Sequence, residues 1–175
     1  MPQPPPNPLL DMLALSNVPR WAIVDIRKEQ SVADHSFRVA VIALELRHRL
    51  NLVLPLDEML LSALVHDAEE SRSGDIPPEY KTLLTKIPTP ADIFDPNRVL
   101  NLRVGIEVGD QIRRVVKLAD LIEAVTFIKR HGAGDAHTSR IIEYLYSKIK
   151  RSLECAPDWT DAVYELIGEI ITNAR

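Results

Sequence analysis

The sequence predicts an all-α protein, a single helical bundle with short connecting loops. Apolar residues recur at helical spacing in several segments, and helix-capping residues precede the clearest of these segments. No segment shows the sustained apolar and polar alternation of a half-buried strand, and no internal repeat is present. Since 175 residues suit one domain with a buried core, we expect a proline-rich arm at residues 1–8 and one domain over residues 9–175.

The first elements are a short helix and a long one, separated by an irregular segment. Five prolines before residue 9 favour an extended arm, and the first helix is expected at residues 9–15. The polar segment at residues 20–30 is predicted to be irregular. Ser31 followed by Asp34 resembles a capping box, and the apolar spacing continues the second helix to about residue 50.

The third predicted helix is apolar almost all round and is therefore expected to be buried. We expect Asp57 to cap its start. The helix runs directly into His66 and Asp67, so strongly polar groups stand at the end of a core helix, where burial is unfavourable without partners or a metal. A loop is expected at residues 71–76.

The second half of the chain is predicted to contain five more helices. Two are expected at residues 77–86 and 97–107, and a long one is expected from a cap at Asp110 to His131, with Gly132 as its stop. Two amphipathic helices follow, and their apolar stripes are typical of core packing, with an oligomer interface as the alternative. They are predicted at residues 137–153, with Ile141, Ile142, Leu145, Ile149 and Leu153, and at residues 159–173, with Val163, Leu166, Ile167, Ile170 and Ile171.

Composition indicates which partners and which cellular compartment to expect. The hydrophobic fraction is 46%, the charged fraction is 26% and the formal charge is −4, so nothing favours binding to a nucleic-acid polymer. No apolar run reaches the roughly 18 residues of a membrane span. The single Cys155 suits a reducing compartment. We expect a cytoplasmic protein, in the host cytoplasm if the source is viral, with no membrane partner.

Four potential metal ligands stand in locally helical sequence: His35, His66, Asp67 and Asp120. Neutral imidazole and carboxylate together suit a divalent transition ion, and Co, Zn, Mn, Ni and Fe all remain candidates. Mg²⁺ is a further candidate alongside substrate phosphates. Four protein ligands on an octahedral ion leave two positions for water and a phosphate oxygen, which points to hydrolysis.

Glu70 is expected beside this cluster. It follows His66 by four residues and Asp67 by three, so on a helix it projects near both. There it could move a proton to or from the reacting water or the leaving group. The structural alternative is an ordinary carboxylate at a helix end.

Five short runs together resemble the HD-domain phosphohydrolases, in particular the YfbR-like 5′-deoxynucleotidase branch. The phage dATP triphosphohydrolases, which remove dATP in viruses that use 2-aminoadenine, look like short members of that branch. The similarity spans roughly residues 13–131 and is far more specific than a His-Asp pair. The runs are Arg20-Trp21, Ala33-Asp34-His35-Ser36, His66-Asp67-Ala68-Glu69-Glu70, Gly74-Asp75-Ile76-Pro77 and Lys117-Leu118-Ala119-Asp120.

The resemblance implies a role for each matching residue in one helical domain. The four ligands would hold one metal ion, while Glu70 and Asp75 would flank the attacking water, either of them acting as base. Arg20 and Lys81 would contact phosphate, with solvated surface charges as the structural alternative. Trp21 would pack against the nucleoside and exclude a 2′-hydroxyl, and Ile23 would lie near the base.

Two residues depart from the family pattern. Asp34 stands where the bacterial enzymes usually carry Glu, and Arg72 stands at a position that is often apolar. An added cation at Arg72 would suit a longer phosphate chain.

The leading functional hypothesis is metal-dependent hydrolysis of the 5′-phosphate ester of a purine deoxynucleotide, with dATP giving deoxyadenosine and triphosphate. A 5′-deoxynucleotidase acting on monophosphates is the close alternative, because both reactions break the bond to the phosphorus attached to the sugar. A non-catalytic nucleotide-binding domain is a third, but its expected signature is the loss of a ligand, and all four are in place. The family's habit of assembling predicts a homo-oligomer.

Overall fold

The computed structural model describes residues 8–75 and 109–173, and these form helices joined by turns and loops. Within these ranges there is no strand, and the sheet-like pairing consists of two isolated bridges, Pro19 with Ser31 and Ile26 with Gly132. The all-α prediction is therefore confirmed. The α-helices are α1 (Pro8–Ala14), α2 (Val32–Arg49), α3 (Leu56–Val65), α4 (Glu70–Ser73), α5 (Asp110–His131), α6 (Ala136–Leu153) and α7 (Thr160–Asn173).

Helix α2 begins as its sequence predicts. The Ser31 hydroxyl accepts the backbone N–H of Asp34, and the Asp34 carboxylate accepts the backbone N–H of Ser31, which completes the capping box. His35 follows directly and is fully buried, at 0% exposure. The cap thus fixes the first turn of the helix, which begins three residues before a candidate metal ligand.

Helix α5 is the centre of the bundle and packs against α2, α3, α6 and α7. Its residues from Leu121 to Ile128 are all buried, and Glu123 and Thr126 are the polar ones among them. The apolar stripes of α6 and α7 pack against this core, since Leu145, Ile149 and Leu153 are buried together with Val163, Leu166 and Ile167. The core interpretation of the two stripes is therefore confirmed.

The irregular segment between α1 and α2 is held at both ends. The backbone N–H of Arg20 donates to the carbonyl of Gln30, and that of Val32 donates to the carbonyl of Val18. Its middle is tied to the end of α5, because the N–H of Arg27 donates to the carbonyl of His131. The loop that carries Arg20 and Trp21 is thus fastened to the central helix.

Several helix boundaries differ from the prediction. Pro55 rather than Asp57 precedes α3, and Asp57 lies in its first turn, where a carboxylate still favours the helix dipole. Likewise Gly109 is the N-cap of α5, and Asp110 is its first residue. Residues 71–73, predicted as loop, belong to the single turn α4, which ends where Gly74 adopts a φ of +75°.

The predicted helices at residues 77–86 and 97–107 lie outside the described residues, as do residues 1–7 of the predicted arm at 1–8, whose last residue, Pro8, begins α1. None of the described helices combines the length and the apolar character that crossing a bilayer requires.

Candidate metal centre and active site

The side chains of His35, His66, Asp67 and Asp120 converge from three parts of the chain. The two imidazole Nε2 atoms lie 3.2 Å apart. An Asp67 oxygen lies 3.3 Å from the Nε2 of His66 and 3.8 Å from that of His35. An Asp120 oxygen lies 3.3 Å and 4.0 Å from the Nε2 atoms of His35 and His66 respectively. The structure therefore brings all four sequence-predicted ligands together.

These separations fit the donor shell of one divalent ion. Donor atoms about 2.1 Å from an ion stand about 3.0 to 3.4 Å apart at right or tetrahedral angles and about 4.2 Å apart when opposite. The five separations that involve an imidazole, from 3.2 to 4.0 Å, fall within this span, and the ligand atoms of His35, His66 and Asp120 all lie within 4.8 Å of one another. Two nitrogen and two carboxylate donors also suit the divalent transition metals.

Each histidine is oriented by its other ring nitrogen. The Nδ1–H of His66 donates to the carbonyl of Ala63 at 2.8 Å. The Nδ1–H of His35 donates to the carboxylate of Glu123 at 2.7 Å, in the buried interior. Because Nδ1 of each ring is engaged as a donor, Nε2 is the atom through which each histidine would bind a metal ion. Such a partner behind a ligating histidine is usual in metal sites.

Asp120 is shared between the cluster and a lysine one turn earlier. Lys117 donates to the second carboxylate oxygen of Asp120 at 2.7 Å, which leaves the first oxygen directed at the histidines. Burial raises the pKa of Asp120, but the hydrogen bond with His35 and the charges of Lys117 and His66 outweigh it, so this pKa lies well below its ordinary value. Asp120 is therefore a carboxylate, the form that binds metal.

The pKa of His35 is raised in the metal-free protein. Burial and the nearby Arg20 charge act to lower this pKa, but hydrogen bonds with Asp120 and Glu123 outweigh both and hold it above its ordinary value. A proton and a metal ion would therefore compete for His35.

The turn after α3 differs from the continuous helix that the sequence suggested. Successive three-residue hydrogen bonds, from Ala68 N–H to the Val65 carbonyl and from Glu70 N–H to the Asp67 carbonyl, replace the helical pattern. Residues three apart share a face in such a turn, so Glu70 lies on the same face as Asp67 rather than on that of His66. Glu70 is buried, at 1% exposure.

Asp75 lies against the loop that carries Trp21. Its carboxylate accepts the backbone N–H of Trp21 at 3.0 Å. Trp21 has a φ of +63°, a region that disfavours bulky residues by about 1 to 3 kcal/mol unless the surroundings hold it. Asp75 therefore fixes the conformation of Trp21, whatever else it does.

The indole of Trp21 is held from other sides as well. Its Nε1–H donates to the side-chain oxygen of Gln30 at 2.9 Å. The ring lies parallel to that of Phe127, with centroids 6.1 Å apart and 2° between the planes. Trp21 thus forms a fixed wall rather than a freely moving side chain.

Arg20 is partly buried beside this wall, with its guanidinium carbon 5.4 Å from the centre of the Trp21 ring. Its Nε and Nη1 atoms are shielded from solvent and have no hydrogen-bond partner among the described residues. The charge of Arg20 also acts to lower the pKa of His35. Two unused donors of a cation at this position favour an anionic ligand.

The other sequence-predicted contacts are less closely tied to the cluster. Ile23 lies on the same loop and is 64% exposed. Lys81 lies outside the described residues. Arg72 pairs with Asp11 and fastens α1 to α4, which gives this departure from the family pattern a structural role.

Sequence reasoning assigned no role to four residues that contact the candidate site residues: Gln30, Glu123, Phe127 and Lys117, the last of which belongs to a run that matches the family. A signal existed for Glu123, an acidic residue three positions after Asp120 inside an apolar helical run. Gln30 lies in an irregular segment, where no periodicity distinguishes it.

The helical bundle and the four converging side chains agree with the family that the comparisons with known proteins show. The chain belongs to the HD-domain family of metal-dependent phosphohydrolases. The family profile described as "HD domain" matches residues 13–91.

Relatives of known activity agree with this assignment. The dATP triphosphohydrolase of Salmonella phage PMBT28 is 31% identical over 169 residues, which cover 91% of this chain and 86% of that protein. The 5′-deoxynucleotidase HDDC2 of Mus musculus is 43% identical over 67 residues, 37% of this chain and 32% of that protein. The shorter match spans about a third of the mouse protein.

A solved structure shares the fold. The HD phosphohydrolase DatZ of cyanophage S-2L, determined with dA and one catalytic Zn²⁺ ion, superposes with a TM-score of 0.75. It is 26% identical to this chain, and the superposition covers 94% of this chain and 96% of that one.

Proposed function

We propose that the protein hydrolyses the 5′-phosphate ester of a purine deoxynucleotide, with dATP and water giving deoxyadenosine and triphosphate. The bond broken joins the 5′-oxygen to the α-phosphorus, and the 5′-oxygen leaves as a hydroxyl. Similarity to the phage dATP triphosphohydrolase over 91% of the chain supports this substrate.

The observation that carries the proposal is the position of Arg20. Its two solvent-shielded donors are not used by any described residue, and its guanidinium lies 5.4 Å from the centre of the Trp21 ring. A guanidinium presents its donors in a planar fork that matches phosphate oxygens. We therefore propose that the Arg20 guanidinium donates hydrogen bonds to the substrate phosphates.

His35, His66, Asp67 and Asp120 would hold the ion, which when bound acidifies water and neutralises phosphate charge. Zn²⁺ is the first ion to test because the solved relative contains it, with Co, Mn, Ni and Fe as alternatives. Mg²⁺ would accompany the phosphate chain.

We assign proton transfer to Glu70 and Asp75. Glu70 is buried and lies on the same face of the turn as Asp67. From there its carboxylate can take a proton from water. Asp75 has one oxygen engaged by the Trp21 N–H, so its replacement would disturb Trp21 as well. Glu70→Ala should retain metal and lose most turnover, whereas Asp75→Ala should also weaken substrate binding.

Trp21 is proposed to select the deoxyribose. Its hydrogen bonds to Asp75 and Gln30 and its parallel packing on Phe127 hold the ring in one position. A rigid ring against the sugar leaves no room for a 2′-hydroxyl. Trp21→Ala should therefore reduce the preference for dATP over ATP, and Ile23 is a further candidate contact to the base.

The test is a panel of nucleotides incubated with the zinc-loaded protein, with the products separated by chromatography. The expected products from dATP are deoxyadenosine and triphosphate, with little reaction of ATP, and dGTP reports base preference. Release of orthophosphate from dAMP with dATP left intact would overturn the choice of substrate.

The alternative is a 5′-deoxynucleotidase that acts on monophosphates, and the match to mouse HDDC2 supports it. The same site would serve, because the scissile bond is the same. Comparing kcat/KM for dAMP and dATP on one preparation separates the two functions.

We also propose a homo-oligomer in the cytoplasm. Most residues of the α6 and α7 stripes are buried in the core, which leaves the partly buried Ile141, Ile142, Ile170 and Ile171 as the part of the stripes open to a partner. Light scattering on the purified protein measures the assembly, and a monomeric mass would contradict this proposal.

A further inference from the structure

Four side chains form one continuous series of hydrogen bonds, which runs from Trp21 through Gln30 and Glu123 to His35. The series thus connects a proposed substrate contact with a candidate metal ligand. The Nε1–H of Trp21 donates to Gln30 at 2.9 Å, and the side-chain N–H of Gln30 donates to Glu123 at 2.7 Å. The other oxygen of Glu123 accepts the Nδ1–H of His35 at 2.7 Å. We propose that Gln30 and Glu123 are positioning residues that set the proton position on His35 and align the substrate loop with the metal.

The direction of every hydrogen bond follows from the indole. An indole N–H can only donate, so the side-chain oxygen of Gln30 must face Trp21. The amide nitrogen of Gln30 must then face Glu123. A carboxylate only accepts, so it takes one hydrogen bond from Gln30 and another from His35. His35 therefore carries a proton on Nδ1, and in the metal-bound protein its Nε2 would supply the lone pair to the ion.

Because these side chains are buried, their donor and acceptor roles cannot be exchanged without leaving a polar group unsatisfied. The exposed fractions are 3% for Gln30, 2% for Glu123 and 0% for His35. Away from solvent, a donor that faces another donor has no water to replace the lost acceptor, and the penalty is that of an unsatisfied buried polar group. A misdirected amide anywhere in the series should therefore disturb the metal ligand.

Gln30 also holds the loop that carries the substrate contacts. Its backbone carbonyl accepts the N–H of Arg20 at 2.8 Å, while its side chain holds the indole of Trp21. One residue thus fixes both proposed substrate contacts and, through Glu123, the orientation of His35. The Trp21 ring and the His35 imidazole are therefore held by the same pair of side chains, Gln30 and Glu123.

The series suggests a swap experiment. In Glu123→Gln, any orientation of the new amide sets two donors face to face or reverses the proton position on His35. In Gln30→Glu, two buried carboxylates face each other. In the double variant Gln30→Glu with Glu123→Gln, the carboxylate accepts from Trp21 and from the new amide, whose oxygen accepts from His35. Directions and net charge match the natural chain again.

The primary measurement is zinc affinity by chelator competition. Each single variant should bind zinc about 10- to 100-fold more weakly, the usual effect of removing a partner of a ligating histidine. The double variant should recover most of this loss. Glu165→Gln, an exposed glutamate on α7, is the matched control and should bind zinc as the natural protein does. Equal zinc affinity in Glu123→Gln, or additive losses in the double variant, would overturn the proposal.

The inference rests on the proposed metal site, but its test does not depend on turnover. Nitrogen NMR of the zinc-loaded natural protein should show His35 protonated at Nδ1 and bound through Nε2, and the opposite arrangement would overturn the inference even if the single variants fail to fold. Where turnover is measurable, Gln30→Glu should raise KM as well as lower kcat. Absence of nucleotide hydrolysis with the swap pattern intact would contradict the proposed function alone.

Discussion

Replacing Gly132 with alanine tests how the substrate loop is fastened to the central helix. Gly132 follows α5 with a φ of −67°, so its backbone does not need the conformational freedom of glycine. The constraint is space. A Cβ there would lie 2.6 Å from the carbonyl oxygen of Ile128 and 2.8 Å from the Cγ2 of Thr138. Neither neighbour can move easily, because that carbonyl accepts the Gly132 N–H and Thr138 is buried.

The expected loss of stability is about 1 to 3 kcal/mol, the usual effect of forcing an extra carbon into a packed site. In a domain of this size each kcal/mol lowers Tm by about 2 to 4 °C. The displacement should also reach the substrate loop, because Ile26 bridges to Gly132 and the N–H of Ala133 donates to Asp25. KM for the nucleotide should therefore rise.

Urea unfolding followed by circular dichroism measures the change, with Gly168→Ala as the control. Gly168 lies within α7, and a Cβ there meets nothing within 4 Å. That substitution should stabilise the protein by up to about 1 kcal/mol, since alanine favours helix. If Gly132→Ala were as stable as the natural protein, the proposed steric constraint would be wrong.

Three further predictions concern the cap, the phosphate contact and the pH dependence. Ser31→Ala removes the cap of α2 and should destabilise the protein by about 1 kcal/mol in urea unfolding; an unchanged midpoint would contradict the role of the cap. Arg20→Ala should lower kcat/KM about 10- to 100-fold, the loss of one or two charged hydrogen bonds, with zinc content unchanged. Loss of zinc instead would show that Arg20 supports the metal. Because the pKa of His35 is raised, its protonated ring stabilises the metal-free protein fully below its unfolded pKa of about 6.5, and this contribution is lost as pH rises through the folded pKa. Zinc competes with that proton, so zinc affinity should rise with pH over the same window. Chelator competition at several pH values would refute this if affinity were flat.

The sequence was sufficient to predict the candidate metal ligands, because histidine and aspartate are residue types that commonly bind metal ions. His66 and Asp67 follow an apolar helix, where polar groups are unfavourable without partners, while His35 and Asp120 are potential metal ligands in locally helical sequence. The capping box at Ser31 was equally local, because both of its hydrogen bonds lie within four residues.

The remaining features depend on tertiary contacts. Nothing in the sequence indicates that a tryptophan adopts a positive φ, because Asp75, distant along the chain, helps to hold Trp21 there. Gln30 and Glu123 are 93 positions apart, and their hydrogen bond exists only because the loop folds onto α5. The turn after α3 was misjudged because its three-residue hydrogen bonds give no distinct sequence pattern.

The most direct test of the metal centre combines metal content and turnover in one variant. Asp67→Ala should lose bound zinc and dATP hydrolysis together, because its carboxylate is one of the converging donors. Metal analysis and product chromatography are carried out on the same purified sample, after circular dichroism shows that the helices are retained. Loss of both metal and turnover is the expected result, and full activity with zinc still bound would contradict the four-ligand site.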